Sequence, residues 1–68
     1  MSETKDYTNS QISFLIDEHI HSERDRKLLK RRLIDGITFE RLAEEFELSD
    51  RQVKNIVYKT ESRVLKYL

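Results

Sequence analysis

The stretch TFERLAEEFELSDRQVKNIVYKT, residues 38–60, decides the fold. It reads as two helices joined by a very short link. Thr38 caps the first helix, its hydroxyl placed to accept a free backbone N–H of the opening turn, and Ile37 and Leu42 occupy the two positions of a hydrophobic staple. Phe39, Leu42, Ala43 and Phe46 then recur at helical spacing and form one apolar face. Ser49 caps the second helix, Gln52 three residues later completes a capping box, and Leu48 staples to Val53. Its inward residues are Val53, Ile56, Val57, Thr60 and Val64, and its outward ones Arg51, Asn55, Tyr58, Lys59, Ser62 and Lys66. Only residues 47–49 remain for the connection. So short a link makes the two helices cross steeply, and a close crossing needs a small side chain at the contact. Ala43 is the only alanine in the chain. The expectation is a helix-turn-helix over about residues 38–60.

Upstream, Ser22 opens another helix, with Asp25 as a weaker reciprocal partner, and Gly36 marks its end because glycine tolerates the left-handed conformation that follows a helix. Leu28, Leu29 and Leu33 form its inner face, and Lys27, Lys30 and Arg31 point away from it. Arg32 falls on the inner side and needs a partner there, for which Glu40, Glu44 and Asp25 are the candidates. Further back, Thr8 with Gln11 forms a capping box, Tyr7 and Ile12 stand at staple positions, and Ile12, Leu15, Ile16 and Ile20 make the stripe of a first helix running to about Ile20. Residues 1–6 have no apolar pattern and read as a frayed, disordered tail. The expected fold class is all-α: four short helices in a single domain, residues 7–68, the last two forming the helix-turn-helix.

Composition agrees. The chain has 68 residues, no Cys, no Pro and a single Gly, which leaves almost no turn chemistry for hairpins and no disulfide to support a small core. No apolar run reaches the length of a membrane span or of a signal-peptide core, so a cytoplasmic protein is expected, with no membrane partner.

The formal net charge is zero, from 13 basic and 13 acidic residues, and by itself this argues against a nucleic-acid partner. The charge is blocked along the chain, however. Residues 1–23 carry one Lys against five acids, residues 24–35 six bases against two acids, residues 36–50 one Arg against five acids, and residues 51–68 five bases against one acid. A folded chain can therefore present a basic face while staying neutral overall. His19 and His21, two apart near a helix end, point in different directions and do not have the spacing of a metal pair. Glu40, Glu44, Glu45 and Glu47 read as solubilising residues of the third helix rather than as a general acid/base pair. No catalytic activity, cofactor or metal is expected. Val64, Leu65 and Leu68, with Phe14 and Ile34 off the main stripes, read either as an interface for a homodimer or as groups covered by the first helix.

ITFERLAEEFELSDRQVKNIVYKTESRVLKYL, residues 37–68, resembles the helix-turn-helix of region 4 of bacterial RNA polymerase sigma factors, and RDRKLLKRRLIDG, residues 24–36, resembles the helix before it. The residues that carry the likeness are Leu42-Ala43-Glu44-Glu45-Phe46, then Leu48-Ser49, Val53-Lys54-Asn55 and Tyr58-Lys59. The likeness covers about residues 23–68. The chain also resembles small free-standing sigma-like proteins of bacterial and phage genomes, and has no room for the domains with which full sigma factors bind core polymerase and melt promoters. Glu47 stands where the family commonly has Gly in the turn. The resemblance implies a sequence-specific, nucleoid-associated DNA-binding protein of transcription regulation, with double-stranded DNA as partner. It implies also two alternatives: a module that binds RNA polymerase or another regulator, or a phage packaging or replication accessory protein.

In a helix-turn-helix the second helix enters the major groove. That puts Arg51, Gln52, Asn55 and Tyr58 at base edges, because Arg matches guanine O6/N7 and Asn or Gln matches adenine N6/N7 as planar bidentate pairs. Lys54 and Lys59 flank them as phosphate contacts. Thr38 with the free N–H groups of its helix can hold another phosphate, and Lys27, Lys30 and Arg31 extend the backbone footprint. Asp50 opposes this field and is favourable where it stands, at a helix N-terminus.

Overall fold

A computed structural model describes residues 8–67. The chain forms four helices and, among the described residues, no strand: α1 (Asn9–His19), α2 (Glu23–Leu33), α3 (Phe39–Phe46) and α4 (Asp50–Leu65). Every start is a side-chain cap. Thr8, Ser22, Thr38 and Ser49 each have extended backbone and accept the N–H three residues on, from Gln11, Asp25, Arg41 and Gln52. The full reciprocal box forms at Thr8–Gln11 and Ser49–Gln52. At Ser22 only half of it forms, because the Asp25 carboxylate is turned to Arg24. The staple expected of Tyr7, the tail at residues 1–6 and the terminal Leu68 lie outside the described residues.

The helix ends are equally local. α2 closes through Gly36 at φ +69°, with the Ile37 N–H donating to the Arg31 carbonyl across the turn at 3.2 Å. α3 closes at Glu47, φ 55° and ψ 47°, the only non-glycine residue with positive φ among those described. The Leu48 N–H donates to the Ala43 carbonyl (2.9 Å) and the Glu47 N–H to the Glu44 carbonyl (3.4 Å), the pair of bonds of a Schellman turn. Arg26 supplies the α1 end: its guanidinium donates to the carbonyls of Ile20 and Asp17, where a cation meets the negative end of the helix dipole. Lys30 adds an ion pair to the Asp17 carboxylate at 2.8 Å.

The core is one cluster drawn from all four helices: Ile16 and Ile20, Leu28 and Leu29, Leu42 and Ala43, then Val53, Val57 and Val64. Ile12, Leu15, Leu33, Phe39, Phe46, Leu48 and Ile56 pack around it half-buried. Thr60 is the one buried polar residue among those described, and its hydroxyl donates to the Ile56 carbonyl at 2.6 Å, so no buried side-chain polar atom among the described residues is left unmatched. Val64, expected among the inward residues of α4, lies in the core at 1% exposed, where α1 and α2 both pack along α4. One expectation is corrected. Arg32 takes none of the three acids. Its Nη1 donates to the Ile37 carbonyl at 3.0 Å and its guanidinium lies 4.3 Å from the centre of the Phe39 ring, so a flat, weakly hydrated cation is satisfied by a carbonyl and an aromatic face.

Candidate nucleic-acid interface

The three residues between α3 and α4 position the site. The left-handed Glu47 reverses the chain, half-buried Leu48 ties the turn to the core, and Ser49 starts α4 at once. With Val53 and Val57 locked inward, the opposite face of α4 is solvent-exposed by necessity. Arg51, Lys54, Asn55, Tyr58, Lys59 and Ser62 are all exposed, and their offsets of three and four residues set them in one stripe about two turns long or more. No salt bridge among the described residues involves Arg51, Lys54 or Lys59.

Gln52 is the exception within the expected base-reading set. Its Oε1 accepts both the Ser49 N–H at 3.0 Å and the Ser49 hydroxyl at 3.2 Å. Both lone pairs of that oxygen are used at the cap, so in this arrangement the amide does not present the paired donor and acceptor that match adenine. The role the structure shows for it is the helix cap.

Tyr58 is 60% exposed but not loose. Its ring meets Phe39 edge-on, with centroids 6.2 Å apart and planes at 82°, the favoured geometry for two quadrupoles. The same Phe39 ring carries Arg32 at 4.3 Å and has Lys54 Nζ at 6.0 Å. Phe39 thus joins α2, α3 and the outer face of α4. Its half-buried position follows from its helical spacing, but its role as a platform did not, because the three contacts come from two other helices, Arg32 from α2 and Lys54 and Tyr58 from α4.

Between the starts of α3 and α4 lies a cleft of about 340 Å³ lined by Thr38, Phe39, Glu40, Asp50 and Lys54. Two helix N-termini and a lysine favour an anion here, while the two carboxylates disfavour one. The basic residues of α2 are arranged differently from the expected footprint. Lys27 is exposed, but Lys30 is paired with Asp17 and Arg31 with Glu45 and Asp35, at 2.5 and 3.2 Å. Hydrogen bonding from Arg31 holds the Glu45 carboxyl below its usual range, and the same bond raises the guanidinium's own pKa. Lys30 and Arg31 therefore serve first as ties from α2 to α1 and α3, their charge offset by acids.

Among the described residues no helix is long and apolar enough to cross a membrane. No family model, no curated protein and no solved structure matches the chain.

Proposed function

We propose that this protein binds double-stranded DNA sequence-specifically in transcription regulation, with α3 and α4 acting as a helix-turn-helix like that of sigma region 4 and α4 lying in the major groove. The observation that carries the reading is the exposed stripe Arg51, Asn55 and Tyr58 on α4, flanked by Lys54 and Lys59 with no intramolecular acid on them. Arg51 and Asn55 are the base readers by their planar bidentate chemistry. Tyr58, braced by Phe39, adds ring contact at the groove edge. Lys54, Lys59 and the Thr38 end of α3 hold phosphates, and Lys27 is the part of the α2 footprint that remains available. A single module with so few phosphate contacts binds non-specific DNA at about 10⁻⁴–10⁻⁶ M at physiological salt.

Selection of bound sequences from a random DNA pool, followed by titration of the winning site, tests this. Arg51→Ala and Asn55→Ala are each expected to lose about 1–3 kcal/mol at that site, whereas Lys59→Ala weakens all sequences alike and lowers the salt slope by about one. Variants at Arg51 and Asn55 that bind as wild type would remove the assignment of α4.

A second reading rests on the exposed acids of α3. Glu40, Glu44 and Glu47 give that helix a negative outer side beside the basic α4, which suits a protein surface such as that of RNA polymerase. Absence of any salt-dependent DNA binding, together with retention of polymerase by the immobilised protein, favours this second reading over the first.

A further inference from the structure

Apart from Tyr58, the exposed large apolar side chains among the described residues are Phe14 (62%), Tyr67 (57%) and Leu65 (45%). Phe14 and Tyr67 lie on one groove of about 390 Å³, completed by Ser10, Gln11 and Leu15 along the outer side of α1. The groove is built rather than incidental. Tyr67 is held against α1 by stacking flat on His19, centroids 3.6 Å apart and planes within 2°, and its N–H donates to the Val64 carbonyl at the end of α4.

The charges around the groove are complementary to each other. Glu18 continues the α1 stripe one turn beyond Phe14 and Leu15, and on the α4 side stand Lys66, next to Tyr67, and Arg63, one turn before it. All three are exposed, and none takes part in a salt bridge among the described residues. A patch with an apolar centre, an acid on one rim and bases on the other is complementary to its own copy after a two-fold rotation, because such an interface brings each rim against the opposite rim of the partner.

We infer that the occupant of this groove is a second copy of this chain, in a two-fold dimer that packs Phe14 and Tyr67 of both copies together and pairs Glu18 of each with Arg63 and Lys66 of the other. Aromatic rings bury 150–250 Å² each when fully covered, so the already half-covered rings contribute only roughly 400–500 Å². A specific complex buries about 1,000 Å² or more, so the dimer is expected to be weak and concentration-dependent. The end of α4 next to the groove lies about 21 Å along that helix from Arg51.

The inference uses nothing of the DNA reading, and its test involves no DNA. Analytical ultracentrifugation of the full chain from micromolar to millimolar concentration is expected to show a rise from monomer to dimer mass. Phe14→Gln and Glu18→Arg each weaken association roughly tenfold or more, with unchanged helical circular dichroism and thermal unfolding. Combining Glu18→Arg with Arg63→Glu and Lys66→Glu restores it. A wild-type chain that stays monomeric at every concentration overturns the inference, as does a dimer that persists in both single variants. A chain that becomes dimeric only after removal of residues 1–7 overturns it too, since the groove's occupant would then be that segment.

Discussion

At Glu47 a side chain sits at φ 55°, in the region that costs an L-residue about 1–2 kcal/mol and a glycine almost nothing. The position is exposed, and its N–H completes the Schellman turn. Glu47→Gly is therefore expected to raise the melting temperature, by the equivalent of up to about 1 kcal/mol, and to leave the proposed DNA binding unchanged. Thermal unfolding followed by circular dichroism reads it directly. A lower melting temperature would mean that the Glu47 side chain contributes something the backbone geometry does not reveal. Arg32 makes the same point about side chains: its place on an inner face announced a need for a partner, and the partner turned out to be a carbonyl and a ring from the next helix.

Among the elements, α2 is tied by charge to both neighbours, through Lys30–Asp17 to α1 and Arg31–Glu45 to α3. The Arg31–Glu45 pair is part-exposed, 41% and 32%, so salt screens it and its contribution is modest. Its sign is nevertheless fixed. Because Glu45 has a folded-state pKa below its ordinary value, the pair stabilises the fold fully above the unfolded value of about 4.3 and the contribution is lost as pH falls through the lower folded value. Glu45→Gln should thus melt below wild type at neutral pH, and the gap between the two should close on acidification below about pH 4. Melting curves at a series of pH values check this; a gap that is constant with pH would show that the carboxylate's charge is not what matters.

For the whole molecule, the core consists of few side chains drawn from all four helices. Leu28 is fully buried on α2, which, like α4, packs against all three other helices. Leu28→Ala is expected to cost about 2–5 kcal/mol, against a total of roughly 3–10 kcal/mol for a domain of this length. Urea unfolding should find the variant close to unfolded without denaturant. A loss under about 1 kcal/mol would mean that the neighbouring side chains collapse into the space.

Most of the fold was legible because it is written locally. Four caps, one glycine, a left-handed turn residue and four apolar stripes each act within a few residues of chain, and the structure has helices where those signals put them. The exposed stripe on α4 was legible for the same reason: once Val53 and Val57 point inward, the helical repeat leaves Arg51, Asn55 and Tyr58 outside. What only the tertiary structure decided is where one residue is claimed by two roles or a cation has several acids within reach. The sequence marked Gln52 both as a cap and as a reader, and the hydrogen bonds to Ser49 gave it to the cap. It offered Lys30 and Arg31 as outward-pointing phosphate contacts, and neighbouring helices brought Asp17 and Glu45 to them. It offered Val64 both as an inward residue of α4 and as part of an interface, and the packing of α1 and α2 on α4 gave it to the core. The physical reason is one of range. Backbone hydrogen bonds and helical periodicity are settled within a turn of helix, whereas the partner of a long charged side chain depends on which distant segments the packed core brings within a few ångströms.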